Sequence, residues 1–345
     1  MQNFLGAFNA PSSRVKGVVA AVVTVAIWSC FIVIARASAA RTLGPFDIAL
    51  CRMLGASVVL APLGWYLVRT GQLQGGPSLF GLSPLALRTT AITGSLAGLG
   101  YALLSYSGFF FAPAAHASVL MPGSLPLWTA LLAALFLHDR ITATRALGLL
   151  CIVAGDLMVG GPSLLHAFEG GDVWKGDLLF MSAAICWAAF SIVVRHHRLE
   201  AVKSTVALTV FATMVYLPSY WLLSAFDVLP SRLAAAPWRE IVFHMVFQGL
   251  GSVVISGITF TMMIKQFGPV RSTMITALVP GLSALGAVLF LGEPLYWNLL
   301  AGLALVTAGI LFGVRQGKPV PAAVSTIKNE AVPAETGPIS KGFSL

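Results

Sequence analysis

Five polar side chains stand inside long apolar runs of this sequence: Arg52, His116, Asp156, His244 and Gln248. A charge held in apolar surroundings is costly, so each is a candidate for function. Arg52 brings a permanent positive charge on a planar fork of donors, suited to a carboxylate or phosphate. The structural alternative is an arginine that reaches outward and pairs with nearby Asp47. His116 and His244 carry rings that titrate near neutral pH and can pass protons, or that hydrogen-bond one helix to another. Asp156 offers a similar choice, between a proton-coupling carboxylate and one at the membrane boundary.

Motifs for catalysis are absent from the sequence: there is no HExxH, no GxSxG and no dense acidic cluster in the polar connections. Cys30, Cys51, Cys151 and Cys186 lie in apolar runs without CxxC spacing and read as small buried hydrophobes. His196 and His197 are adjacent, so they diverge around a helix; beside Arg195 and Arg198 they read as a positive anchor. We therefore expect no enzyme, no metal site and no cofactor. What remains is binding. Trp28 and Trp187 sit mid-run, away from the interfacial belts where Trp usually lies. Tyr101 shares a run with Gly98, and aromatic faces with few polar groups suit a cavity for an amphipathic solute. Glycines there would equally let helices approach closely. Pro122, Pro126 and Pro280 interrupt apolar runs, as hinges or gates, or as packing kinks.

The elements that position these residues follow from composition. With 57% hydrophobic and only 10% charged residues, and a mean hydropathy of +0.88, the chain cannot cover a water-facing surface. Ten runs are long enough for helices across about 30 Å of hydrocarbon. They fall at about 17–36, 46–68, 90–110, 113–136, 142–160, 176–195, 205–226, 241–264, 269–291 and 295–314. The expectation is an all-α integral membrane protein. Eleven Lys and Arg fall on the N-terminal side of these runs, before the tail, and five on the other. That excess places both termini in the cytoplasm, in the inner or plasma membrane. The net charge of +9 is scattered, with no basic stripe interleaved with aromatics, so nucleic acid is not an expected partner.

The chain also repeats itself. Gly17, Trp28, Phe31 and Arg36 recur 159 positions later as Gly176, Trp187, Phe190 and Arg195. Pro126, Phe136, Leu137, Asp139, Gly148 and Gly155 are matched 154 later by Pro280, Phe290, Leu291, Glu293, Gly302 and Gly309. Gly98 and Gly100 recur as Gly249 and Gly251. We expect an N-terminal segment 1–16, a five-span half 17–160, a linker 161–175, a second five-span half 176–314 and a disordered tail 315–345. An odd number of spans per half makes the halves inverted, an architecture of alternating-access transporters with the substrate site between repeats.

The segment Ala277-Leu278-Val279-Pro280 through Leu289-Phe290-Leu291-Gly292-Glu293-Pro294, with Gly302 and Gly309, resembles the EamA-type repeat of the drug/metabolite transporter superfamily. Trp28-Ser29 and Arg52 extend the resemblance. It implies ten transmembrane helices as two inverted five-helix repeats, a central cavity, and export of amino acids or related metabolites. The sequence departs from the pattern at His138-Asp139, where Gly-Glu is usual, and at Phe211, which stands where a second Arg52 would fall. The candidate cavity residues are Trp28, Arg52, Gly98, Tyr101, His116, Trp187, His244 and Gln248. Expected partners are a small-molecule substrate, the lipid bilayer and, as coupling ion, protons. Export of amphipathic cations, or import of a metabolite, is the alternative on the same fold.

Overall fold

Apolar side chains at nearly every position leave the backbone one way to satisfy its polar groups in lipid, and the chain takes it. The structure is a computed structural model and describes residues 13–314. The expected tail, and most of the expected N-terminal segment, lie outside the described residues. Among the described residues the only β pairing is two isolated bridges in the 70–86 connection.

We number ten helices: α1 Ser13–Ser38, α2 Pro45–Arg69, α3 87–109, α4 Ala114–Leu137, α5 Ala143–His166, α6 Val173–His196, α7 Ala201–Ala225, α8 238–276, α9 Leu278–Leu291 and α10 Trp297–Val314. Seven of these contain a stretch long and apolar enough to cross a membrane; α3, α9 and α10 fall short in apolarity or length. The fold is thus all-α and membrane-embedded. We call the side on which α1 begins the near face and the other the far face.

Helix packing repeats between the halves. α1 packs on α8 and α9, and its counterpart α6 packs on α3 and α4. α2 packs on α8, and α7 on α3, while α2 with α7 and α5 with α10 are self-paired. The α5–α10 contact is closest because it is made of glycines. A Cβ on Gly155 would lie 2.6 Å from the Gly302 carbonyl oxygen, and one on Gly309 2.5 Å from that of Gly148. Residue 148 meets 309 and residue 155 meets 302, so these repeat mates run antiparallel.

Two expectations are corrected. The expected break between the eighth and ninth runs, near 265–268, is helical: α8 continues to Thr276, turns at Ala277, and α9 starts at Leu278. Pro280 therefore lies in the first turn of α9, and Pro126 in the first turn of the stretch Leu125–Leu137. There a missing N–H costs nothing, because first-turn donors have no partner inside the helix. These two prolines mark where broken helices restart; Pro122 alone sits inside a distorted segment, the wide π turn Val119–Gly123. Wide turns also occupy Gly94–Gly100 in α3 and Met245–Ile255 in α8, around the repeated Gly98 and Gly249.

Candidate substrate-binding cavity

The two wide turns and the α4 break surround a cavity of about 510 Å³. Six aromatic rings line it: Trp28 and Phe31 from α1, Tyr101 from α3, Trp187 and Phe190 from α6, and Phe260 from α8. The rings form two tilted pairs around the repeat mates Trp28 and Trp187, Trp28 with Phe260 at 5.1 Å and Trp187 with Tyr101 at 4.8 Å between centroids. Hydroxyls of Ser204, Thr205, Thr209, Ser252, Ser256 and Thr261 supply a polar side. The cavity runs from Arg52 toward the near face, where Val194, Ala201 and Thr261 also line it.

Among the described residues Arg52 is the single charged one in the lining. It is 8% exposed, held by α2 packing against α8. Its Nη1 donates to Ser252 Oγ at 3.2 Å and, weakly, to the Gln248 carbonyl at 3.5 Å, and the guanidinium lies 5.7 Å from the Phe31 ring centroid. All these partners are neutral, and no ion pair to Arg52 forms among the described residues. Asp47 does not serve as its counter-ion. That carboxylate, fully buried, accepts from the Gly44 and Arg232 backbone N–H at 2.8 and 3.1 Å and from the Tyr220 hydroxyl.

Five of the eight sequence candidates, Trp28, Arg52, Gly98, Tyr101 and Trp187, therefore surround one space. Gly98 also lets α3 close on α7, since a Cβ there would come within 2.8 Å of the Leu208 carbonyl oxygen. The other three lie elsewhere. His244 and Gln248 are buried between α8 and its neighbours, 2% and 0% exposed; His244 Nδ1 and both polar atoms of the Gln248 amide lack partners among the described residues. His116 is outside the cavity, its Nδ1 2.9 Å from Asp177 Oδ1, and the Ser163 hydroxyl donates to the other oxygen of that carboxylate. The trio is not a nucleophile with its base: Ser163 and His116 both bond to Asp177, not to each other.

The far end is closed by polar ties that bind one half to the other. Arg36 pairs with Glu293 at 3.0 Å and donates to the Phe109 carbonyl at 2.7 Å. Glu293 also accepts from the N–H groups of Ala114 and Ala115, at 3.1 and 3.3 Å. On the near face the repeat counterparts make the same pair, Arg195 with Asp139 at 2.6 and 3.0 Å, but Arg195 is 58% exposed there against 31% for Arg36. The matched residues were visible in the sequence; that they bond across the halves was not. Asp177 was missed because it opens α6, where a carboxylate reads as a boundary residue.

Comparison with known proteins agrees with this architecture. The chain is 24% identical over 238 residues to the uncharacterized transporter YyaM of Bacillus subtilis (strain 168), covering 67% of this chain and 75% of that protein. It is 23% identical over 235 residues to the uncharacterized transporter YoaV of the same strain, covering 65% and 74%. A solved crystal structure superposes with a TM-score of 0.53 at 22% identity, over 86% of this chain and 95% of the other, which shows a shared fold. The model of the EamA-like transporter family matches twice, over residues 15–161 and 174–315. With most of its length so matched, the chain belongs to the EamA-like transporter family.

Proposed function

We propose that this transporter exports an amino acid or amino-acid-like metabolite across the inner membrane. It does so by alternating access between two inverted five-span halves, 17–160 and 176–314, with both termini cytoplasmic. One observation carries the substrate class: among the described residues Arg52 is the single charge in the lining of an aromatic cavity and has no carboxylate partner. A buried cation held only by neutral groups attracts a carboxylate, and the bond it makes is charge-assisted. The six rings and the hydroxyl side then suit an apolar body and an ammonium group. The same charge opposes an amphipathic cation, which would find no acidic residue among the described residues of the lining to meet it.

The antiparallel α5–α10 contact and the packing that recurs between the halves support the inverted arrangement. The near-face cavity and the ties across the far face support alternating access, as one of its two states. Ligand screening tests the substrate class, because a ligand that binds only the folded state raises the melting temperature. Leucine, phenylalanine and methionine are expected to stabilise the purified protein, and leucinamide and tetraphenylphosphonium are not. Stabilisation by tetraphenylphosphonium alone would overturn the carboxylate reading.

A further inference from the structure

A second polar cluster lies among the helices, away from the cavity. His116 on α4, Ser163 on α5 and Asp177 on α6 meet there, with Asp177 5% and Ser163 9% exposed. Asp156 lies on the same buried face of α5 as Gly160 and Ser163, at positions i, i+4 and i+7. It is 7% exposed, and neither carboxylate oxygen has a partner among the described residues.

The repeat provides an internal control. Asp177 follows Gly176, whereas in the first half Val18 follows Gly17; Asp156 follows Gly155, whereas in the second half Ile310 follows Gly309. Ile310 is buried as Asp156 is, at 3% against 7%, so the fold does not require a carboxylate there, whereas Val18 is 53% exposed and faces surroundings unlike those of Asp177. Burying a carboxylate is costly, and more so in a membrane. A buried carboxylate at Asp156, where the repeat mate is a buried Ile, and a second one at Asp177 bonded to His116 and Ser163 point to a role beyond packing.

Position indicates that role. The first turn of α4, Ala114–Ser118, joins three features. Its N–H groups hold Glu293 and so the far-face tie to Arg36, its His116 meets Asp177, and it runs on into Met121, Pro122 and Leu125 of the cavity wall. We propose that His116, Asp177 and Ser163, with Asp156 two helical turns away on the same face of α5, form a proton-binding site that couples proton movement to substrate movement by controlling the far-face closure.

A proton taken from water on the far side converts an imidazole–carboxylate contact into an imidazolium–carboxylate pair. That pair is the stronger bond and holds α4 to α6 beside the Glu293 tie. Its release to the near side weakens the hold and frees the far face to open. Toward the far ends of α1, α5, α6 and α9 the charged groups are Arg36 on α1 and Glu293 after α9, paired with each other, and two exposed pairs, while Arg195 of α6 pairs with Asp139 at the near face. The exposed pairs are His166 of α5 with Glu169, and Lys175 of α6 with Asp172.

The inference rests on the transport reading, and proteoliposomes of the full chain separate the two. Radiolabelled leucine and phenylalanine are followed first in exchange at equal pH and then under an imposed pH gradient. One coupled proton corresponds to about tenfold accumulation per pH unit, and the wild type is expected to approach it. His116→Gln and Asp177→Asn are expected to lose accumulation while keeping exchange within about twofold. The double variant H116V/D177V leaves neither member of the pair behind, the Ser163 hydroxyl keeps its bond to the Gly160 carbonyl, and the variant is expected to do the same, which guards against misfolding of either single variant. Accumulation retained by these variants, or wild-type flux indifferent to the gradient, would overturn the proton site and leave transport standing. A wild type that exchanges no amino acid would remove the transport reading, and this site with it.

Discussion

Arg52 shows how a single residue is judged by what surrounds it. In the sequence it had two readings, a substrate charge or a partner for Asp47, and spacing alone could not separate them. The structure separates them because Asp47 is consumed by two backbone N–H groups and Tyr220. A charge-assisted hydrogen bond is worth roughly 1.5–3 kcal/mol, or about 10- to 100-fold in an equilibrium constant. Arg52→Gln is therefore expected to weaken binding of leucine by about that factor and to abolish the preference for leucine over leucinamide. Isothermal titration of the purified variant checks both. The aromatic lining was legible at this scale because Trp28 and Trp187 recur in register. His244 and Gln248 were legible only as polar, since a sequence does not show which side of a helix faces the cavity.

At the scale of elements, the apolar runs gave eight of the helices to within six residues, while the boundary between the eighth and the ninth was misplaced. Residues 265–268 read as a connection between two apolar runs, yet the backbone there stays helical and α8 continues to Thr276. Helix ends carry a further lesson. α9 stops at Gly292, whose φ of 66° suits glycine, and α4 stops at His138 with φ 56°, where a side chain is strained. The departure from Gly-Glu at His138-Asp139 is thus a conformational cost of about 1–2 kcal/mol. His138→Gly should raise the melting temperature in detergent by several degrees. Gly155→Leu should lower it, because the Gly302 carbonyl oxygen stands where its Cβ would go and overpacking costs about 1–3 kcal/mol. Gly161→Ala, which meets nothing within 4 Å, serves as the control and should not lower it.

At the scale of the molecule, two ion pairs related by the repeat stand at opposite faces, the far one half-buried and the near one exposed. Exposed pairs contribute little, about 0–1 kcal/mol, while Arg36 and Glu293 are tied further into the backbone of Phe109, Ala114 and Ala115. This asymmetry matches a cavity that runs to the near face. Arg36→Gln should accordingly favour the far-open state, seen as faster labelling, by an impermeant maleimide from the far side, of a cysteine placed at Met121 in a background free of native cysteines. Arg195→Gln should change that labelling little. The inverted organisation was readable from spacing; the direction in which the cavity opens was not, since repeat equivalence is symmetric and one conformational state is not.

The most direct test of the central claim is flux of radiolabelled leucine in proteoliposomes, wild type beside Arg52→Gln, with tetraphenylphosphonium as the cationic comparison. The predicted result is leucine exchange by the wild type, a loss of at least about tenfold in Arg52→Gln at low substrate concentration, and no tetraphenylphosphonium movement by either. Equal leucine flux in the two proteins, or movement of tetraphenylphosphonium in place of leucine, would contradict a cavity built around a carboxylate.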